Sequence, residues 1–212
     1  MTVAVASNLD LDRFRATPLQ SDPFPYVIVP GFLKSEAMAA VNADYPEIDK
    51  PGSFPVSELR YGPAFTRLLD ELNGPEMTAA FAEKFGIDLT DHPIMITVRG
   101  QCRAKDGQIH TDSTSKVITV LLYMNAGWEA DGGRLRLLRS PDDLEEMVAE
   151  VPPEEGTLLA FLNGPTAWHG HKSFIGQRRT IQLNWVTDAG VVAREQARHR
   201  FSARMKRLNP FA

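Results

Sequence analysis

A mainly β architecture with flanking helices (α+β), an antiparallel barrel or sandwich of short strands on an N-terminal helical layer, is what this sequence predicts. Three observations carry that expectation. Past Ile94, short apolar runs recur at Ile94–Val98, Val117–Met124, Arg134–Leu138, Thr157–Leu162 and Thr180–Val186, most of them parted by Gly, Pro or Asn clusters. Ahead of Ile94, the segments Pro63 to Asn73 and Pro75 to Phe85 each open on a proline and stop before a glycine, as helices do. The 212 residues, 43% hydrophobic, suit one domain with a sizeable core.

Taken in order, the first twenty residues read as a tail with one helical turn. Tyr26 to Val29 is a short strand stopped by Pro30-Gly31. Ser35 is placed to cap a helix running to about Asp44, with Met38 and Val41 on one face. Residues 46–63 hold Pro46, Pro51, Pro55 and Pro63 with little periodicity, so a long ordered loop is expected there. Residues 22–93 thus form a strand and helical layer, and residues 94–188 the strand-rich core. Within that core a helix is expected from Pro141 to Val148, N-capped by Ser140. Residues 189–212 are basic and read as a helix from about Val191 to Leu208.

Composition excludes some classes. The formal charge of −4 argues against a dedicated nucleic-acid binder. Its distribution is uneven: residues 194–212 carry +5 and the remainder −9, which reads as a solvated helix face. Cys102 is the only cysteine, so no intrachain disulfide can form, and a reducing compartment suits the chain. No apolar stretch nears the length of a membrane span, and Met1 to Ser7 lacks the charged start of a secretory leader. A cytoplasmic protein with no membrane or nucleic-acid partner is the expectation.

Chemistry concentrates in three places. His110-Thr111-Asp112 precedes the run Lys116 to Met124. Trp168-His169 follows the run Gly156 to Leu162 and the turn Asn163-Gly164-Pro165, and Arg178-Arg179 comes soon after. Two imidazoles and a carboxylate are the donor set of the facial triad, which holds iron(II) at three positions and leaves three open. Strand residues two apart point the same way, so His110 and Asp112 can reach one metal, with the third ligand from a distant strand. His169 and His171 share a face, and either satisfies that need. An arginine nearby supplies a cation suited to bidentate carboxylate pairing. Arg178 and Arg179 point to opposite faces. Arg179 has the parity of Ile181, Leu183 and Trp185, the set expected inside the barrel, which leaves Arg178 outside in a salt bridge.

From about Pro25 to Val186 the chain resembles the prolyl 4-hydroxylase-like branch of the 2-oxoglutarate- and iron(II)-dependent dioxygenases. The resemblance rests on His110-Thr-Asp112, Thr119-Val-Leu-Leu-Tyr-Met-Asn125 with Trp128, Gly132-Gly-Arg-Leu-Arg-Leu137, Gly156-Thr-Leu-Leu-Ala-Phe161, Trp168-His169 and Arg178-Arg-Thr-Ile-Gln-Leu-Asn-Trp185. It implies a double-stranded β-helix, the cupin-like jelly roll, with iron(II) at its open end. It makes His110, Asp112 and His169 the iron ligands, and its Trp-His pairing favours His169 over His171. Tyr123 is implied to donate its hydroxyl to the distal carboxylate of 2-oxoglutarate. Counting back from Trp185 selects Arg179 for the same carboxylate, with Arg178 the alternative. The implied activity is hydroxylation with O2, releasing succinate and CO2, and the substrate is left open between a peptide and a small molecule.

The remaining polar residues carry weaker signals. Arg99, Arg103 and Lys105 precede His110 where relatives place substrate-side loops, and solvated surface fits them equally. Lys116 is expected to be exposed, His92 and His199 to lie in core or surface, and Cys102 to be a small packing residue. Two other functions compete: a cupin-like metal enzyme that does not use 2-oxoglutarate, and a non-catalytic binding module of the same fold. Tyr123 and the arginine weigh against the first, and the complete ligand set weighs against the second. Halogenation calls for a small residue where Asp112 stands.

Overall fold

Alternation along the strands sets up two buried faces of one large sheet. In the computed structural model, which describes residues 7–208, that sheet contains β1 (Tyr26–Val29), β2 (Phe54–Pro55), β3 (Ile94–Cys102), β4 (Lys116–Tyr123), β7 (Leu158–Leu162) and β9 (Gly176–Val186). They lie antiparallel in the order β1-β7-β4-β9-β3-β2. A second antiparallel sheet joins β5 (Leu135–Leu138), β6 (Met147–Val151) and β8 (His169–Gly170) in the order β6-β5-β8.

One face of the large sheet presents Val98, Ile118, Val120, Leu122, Leu158, Ala160, Ile181, Leu183 and Trp185 to the helices. These helices are α1 (Leu11–Ala16), α2 (Ser35–Ala43), α3 (Pro63–Leu72) and α4 (Pro75–Phe85). They answer with Phe14, Val41, Phe65, Leu68, Leu72 and Phe81, among others. The opposite face presents Leu121, Tyr123, Leu159 and Phe161 to Leu135, Leu137 and Val151 of the second sheet. A sheet buried on both sides yields nearly continuous apolar runs in place of alternation, which is what the sequence shows. The two sheets around this second core form the expected double-stranded β-helix.

The strand and helix expectations largely match, with three differences. Residues 141–148 do not form a helix: Pro141 to Glu146 turn, and β6 follows, paired with β5. The buried guanidinium of Arg136 on β5 bonds Glu150 at 2.6 Å and Glu145 at 2.9 Å, and that pairing overrides the local helical propensity of the acidic segment. Ser35 is the first residue of α2 and does not cap it; Lys34 stands at the cap position without a side-chain bond. The expected loop at 46–63 contains β2 and a 3-10 turn, Val56–Glu58. At the far end of the chain, α5 (Ala189–Leu208) packs against β2 and β9.

Asn125, just past β4, fixes the register of β9. Its Oδ1 accepts from the Arg179 N–H at 2.7 Å, and its Nδ2 donates to the Arg179 carbonyl at 3.1 Å and to Pro153 at 2.6 Å. A residue grasped from both backbone groups cannot slip, and a one-residue slip would exchange every side chain of β9 between the faces.

Phe81 holds the helical layer to the sheet, stacking on Phe14 at 4.3 Å and lying 4.8 Å from Trp185. Phe81→Ala is expected to lower unfolding stability by about 3–5 kcal/mol, read as a shift of the urea midpoint with an unchanged slope.

Candidate metal centre and cosubstrate pocket

The backbone brings the two histidines together first. His110 N–H donates to the His169 carbonyl and His169 N–H to that of His110, both at 3.0 Å. His110 lies in the loop before β4, and His169 opens β8. Their rings sit 4.3 Å apart. Asp112, two residues on, completes a group whose potential ligand atoms all lie within 4.8 Å of one another. His171 is not part of this group. It is buried behind it, with Nδ1 donating to the Lys172 carbonyl at 2.8 Å.

Each component is prepared for a metal. His110 Nδ1 lies 2.8 Å from the Gln108 carbonyl, and His169 Nδ1 lies 2.9 Å from that of Ala167. A carbonyl only accepts, so each Nδ1 carries the proton and Nε2 keeps its lone pair for a ligand bond. Burial above all, with His110 adding to it, lowers the His169 pKa to about 4, so this imidazole is neutral. Asp112 accepts from Lys116 Nζ at 2.7 Å on one oxygen and from Thr119 Oγ1 at 2.5 Å on the other. Burial opposes the Asp112 charge more than any single neighbour favours it. Together, Lys116, His169 and the two donors nevertheless hold its pKa below the ordinary carboxylate value. Behind Thr119 the relay continues: Asn184 donates to Thr119 at 2.8 Å, and Gln182 to Asn184 at 3.3 Å. Lys116 is not at the surface as expected; its side chain is only 17% exposed because it pairs with Asp112.

The arginine expectation is reversed. Arg178, Thr180, Gln182 and Asn184 form the site-facing parity of β9, whereas Ile181, Leu183 and Trp185 face the helical layer. Arg179 is therefore not in the cavity: its guanidinium lies 5.1 Å from the Tyr45 ring, on the helical side. The most apolar parity of β9 does not mark the barrel interior. In a sheet covered on both faces, the larger apolar core lies under the helices.

Arg178 is buried, and its Nε donates to the Gly133 carbonyl at 2.8 Å. No carboxylate pairs with it among the described residues. The guanidinium lies 5.3 Å from the Tyr123 ring centroid, and Arg178 Nη2 and Tyr123 Oη are both buried without a hydrogen-bond partner. Burial raises the Tyr123 pKa against the opposing effect of Arg178, so the hydroxyl stays protonated and can donate. Two orphaned donors, one of them cationic, lack an anionic acceptor. A carboxylate ending in this corner satisfies both.

Arg178 and the three-residue group line one cavity, whose apolar wall is Leu121 and Leu135. Gly107 closes its edge with φ +86°, and a Cβ there would fall 2.4 Å from the His171 ring, so the loop's approach requires glycine. Arg99 of β3 also lines it, a residue that the sequence reading left equally as surface. Arg103 pairs with Asp106 at 3.1 Å, Lys105 is exposed, and His92 bonds the Val186 carbonyl at 3.0 Å. The side chain of His199 lies outside the described residues. A larger open groove of about 920 Å³ beside Tyr45 and Arg60 contains none of the three-residue group.

The donor set fits iron(II), and the orphaned corner fits the far end of a dicarboxylate. Residues 100–187 match the model of the 2OG-Fe(II) oxygenase superfamily. No curated protein sequence matches the chain. Among solved structures the fold is similar to a prolyl-4-hydroxylase from Pseudomonas putida: 16% identity, TM-score 0.57, covering 87% of this chain and 99% of that one. A prolyl 4-hydroxylase from Phytophthora capsici gives 18% identity and a TM-score of 0.54 over 91% and 70% of the two chains. A prolyl hydroxylase from Trichoplax adhaerens, solved with a hypoxia inducible factor oxygen degradation domain peptide fragment, gives 16% identity and 0.50 over 90% of each. The family match over the site-bearing strands, the surrounding fold that is similar to prolyl 4-hydroxylases, and the His110-Asp112-His169 group together support a dioxygenase that works with iron(II), 2-oxoglutarate and O2.

Proposed function

We propose that the chain is a hydroxylase in which His110, Asp112 and His169 hold iron(II) and Arg178 with Tyr123 holds the distal carboxylate of 2-oxoglutarate. The observation that carries this reading is the orphaned pair Arg178 Nη2 and Tyr123 Oη in the corner beside the three-residue group. The balanced reaction converts substrate C–H, O2 and 2-oxoglutarate to C–OH, succinate and CO2. The bound metal and cosubstrate supply the oxidising chemistry. The chain supplies orientation: His110 and His169 present Nε2, Thr119 and Lys116 fix the Asp112 carboxylate, and Arg178 sets the depth of the dicarboxylate. Leu121 and Leu135 exclude water from the corner, which strengthens the pairing of Arg178 with its anion.

The metal part is tested by loading with iron(II), or with zinc as an inert substitute. One ion per chain is expected, lost on His110→Ala, Asp112→Ala or His169→Ala and retained on His171→Ala. Thr119→Val removes the fixed donor behind Asp112, and metal affinity is expected to fall by about 10–100-fold while the fold is kept. Loss of the ion on His171→Ala with retention on His169→Ala would move the site.

The cosubstrate part is tested by calorimetry of 2-oxoglutarate on the zinc-loaded protein. Arg178→Ala is expected to weaken binding by about thirtyfold or more, roughly 2 kcal/mol at the least. Arg178→Lys should recover only part, because an ammonium cannot reproduce the bidentate fork. Arg179→Ala is expected to change binding by less than about threefold, as suits an exposed-type contact. Wild-type protein that neither binds 2-oxoglutarate nor converts it to succinate with iron(II) would defeat the assignment.

A further inference from the structure

A second chamber opens on the other side of the three-residue group, and its chemistry speaks to the substrate. It shares His110, Asp112, Gln182 and Arg99 with the corner that holds Arg178, and extends past Thr97 and Asn184 toward α5. Its volume is about 210 Å³, room for roughly seven waters at about 30 Å³ each. Glu195 and Arg198 of α5, paired at 2.5 Å, stand across its outer end. α5 packs against the edge strand β2, which brings these two side chains to the chamber.

The charges in this chamber do not balance. Lys116 is matched by Asp112, and Arg198 by Glu195. The Arg99 guanidinium has no hydrogen bond and no salt bridge among the described residues, although its backbone carbonyl accepts from Tyr45 Oη at 2.7 Å. The carboxylate nearest in influence, Asp106, spends its two oxygens on Arg103 at 3.1 Å each. Burial first, and the Arg178 charge second, push the Arg99 pKa down, the mark of a cation short of counter-charge. An unpaired, half-buried guanidinium costs free energy that an arriving anion recovers. The corner beside Arg178 already has a cation and a hydroxyl for the far carboxylate of 2-oxoglutarate, so Arg99 is left over for a different anion.

We propose that the substrate is a small molecule bearing a carboxylate, which Arg99 binds in the chamber under α5 and so sets which carbon faces the metal. This deepens the proposed function and rests on it. One net positive charge, a planar fork and a volume of this size suit a monoanionic carboxylate on a compact body.

The test uses full-length, zinc-loaded protein saturated with 2-oxoglutarate, titrated by calorimetry or ligand-detected NMR with propionate and its uncharged isostere propionamide. Saturable propionate binding without propionamide binding is expected. Arg99→Gln should weaken it by about tenfold or more, the scale of one charged hydrogen-bonded contact, and Arg99→Lys should retain part. The 2-oxoglutarate affinity of both variants should stay within about threefold of wild type, which also shows that they are folded. Equal binding of acid and amide, or propionate binding unchanged in Arg99→Gln, would overturn the proposal. So would a loss of 2-oxoglutarate affinity in Arg99→Gln as large as in Arg178→Ala, because Arg99 would then be a second cosubstrate clamp. Coupled succinate formation with an end-capped, uncharged proline peptide, undiminished in Arg99→Gln, would overturn it in favour of a peptide substrate. Failure of wild type to bind metal or 2-oxoglutarate at all would be the failure of the function proposed above, and is seen before propionate is added.

Discussion

His110 and His169 exchange both backbone hydrogen bonds, and nearly every feature of the site follows from that one antiparallel bridge. The bridge brings the loop before β4 to the start of β8, two segments far apart in sequence. It sets the two imidazoles 4.3 Å apart without using either ring nitrogen. Each Nδ1 is then spent on a carbonyl within its own segment, Gln108 for one and Ala167 for the other. Ring position and tautomer are therefore fixed by backbone, before any ligand arrives. Asp112 needs only to follow at the right spacing. Phe161 supports the arrangement from the core, its ring 4.8 Å from that of His169.

Local signals made much of the fold readable. Proline starts and the left-handed Gly86 stop delimit α3 and α4, and the apolar runs delimit β3, β4, β5, β7 and β9. The segment before β6 misled because its acidic helical pattern is overridden by a nonlocal partner, the buried Arg136, which no window of sequence contains. The arginine register failed for a related reason. Alternation along β9 separates Arg178 from Arg179 without ambiguity, but it does not say which side is the barrel. The polar set Arg178, Thr180, Gln182 and Asn184 was itself the available clue, since three uncharged polar residues in phase with an arginine do not belong under a helical layer.

The same ambiguity hid Thr119, Asn184 and Arg99. Thr119 sits within the apolar run of β4 and Arg99 at the end of that of β3, where single polar residues read as edge or surface. In the fold all three share the site-facing parity, and Thr119 with Asn184 becomes a relay ending on Asp112. Lys116 was misplaced because its partner is four residues back across a loop, not a helix. What the sequence could not supply was the pairing of strands, and once the pairing is known the polar residues sort themselves.

Charge is the quantity the site holds out of balance. Arg178 and Arg99 both lie in one cavity, burial and the Arg178 charge both oppose the charge of Arg99, and the acidic groups within reach are committed elsewhere. Lys116 already offsets Asp112, so that carboxylate does not neutralise the arginines. Such an arrangement is costly in the empty protein, because a buried and a half-buried cation lose hydration and repel. It becomes favourable when anions enter. A dicarboxylate would satisfy Arg178 with one end and leave its other carboxylate free to reach a metal held by His110, Asp112 and His169. Because any ligand that binds only the folded form stabilises it by mass action, the strain of the empty cavity is coupled to occupancy. Arg99 stands where the two chambers meet, so an anion held by Arg178 offsets the repulsion that Arg99 feels from it.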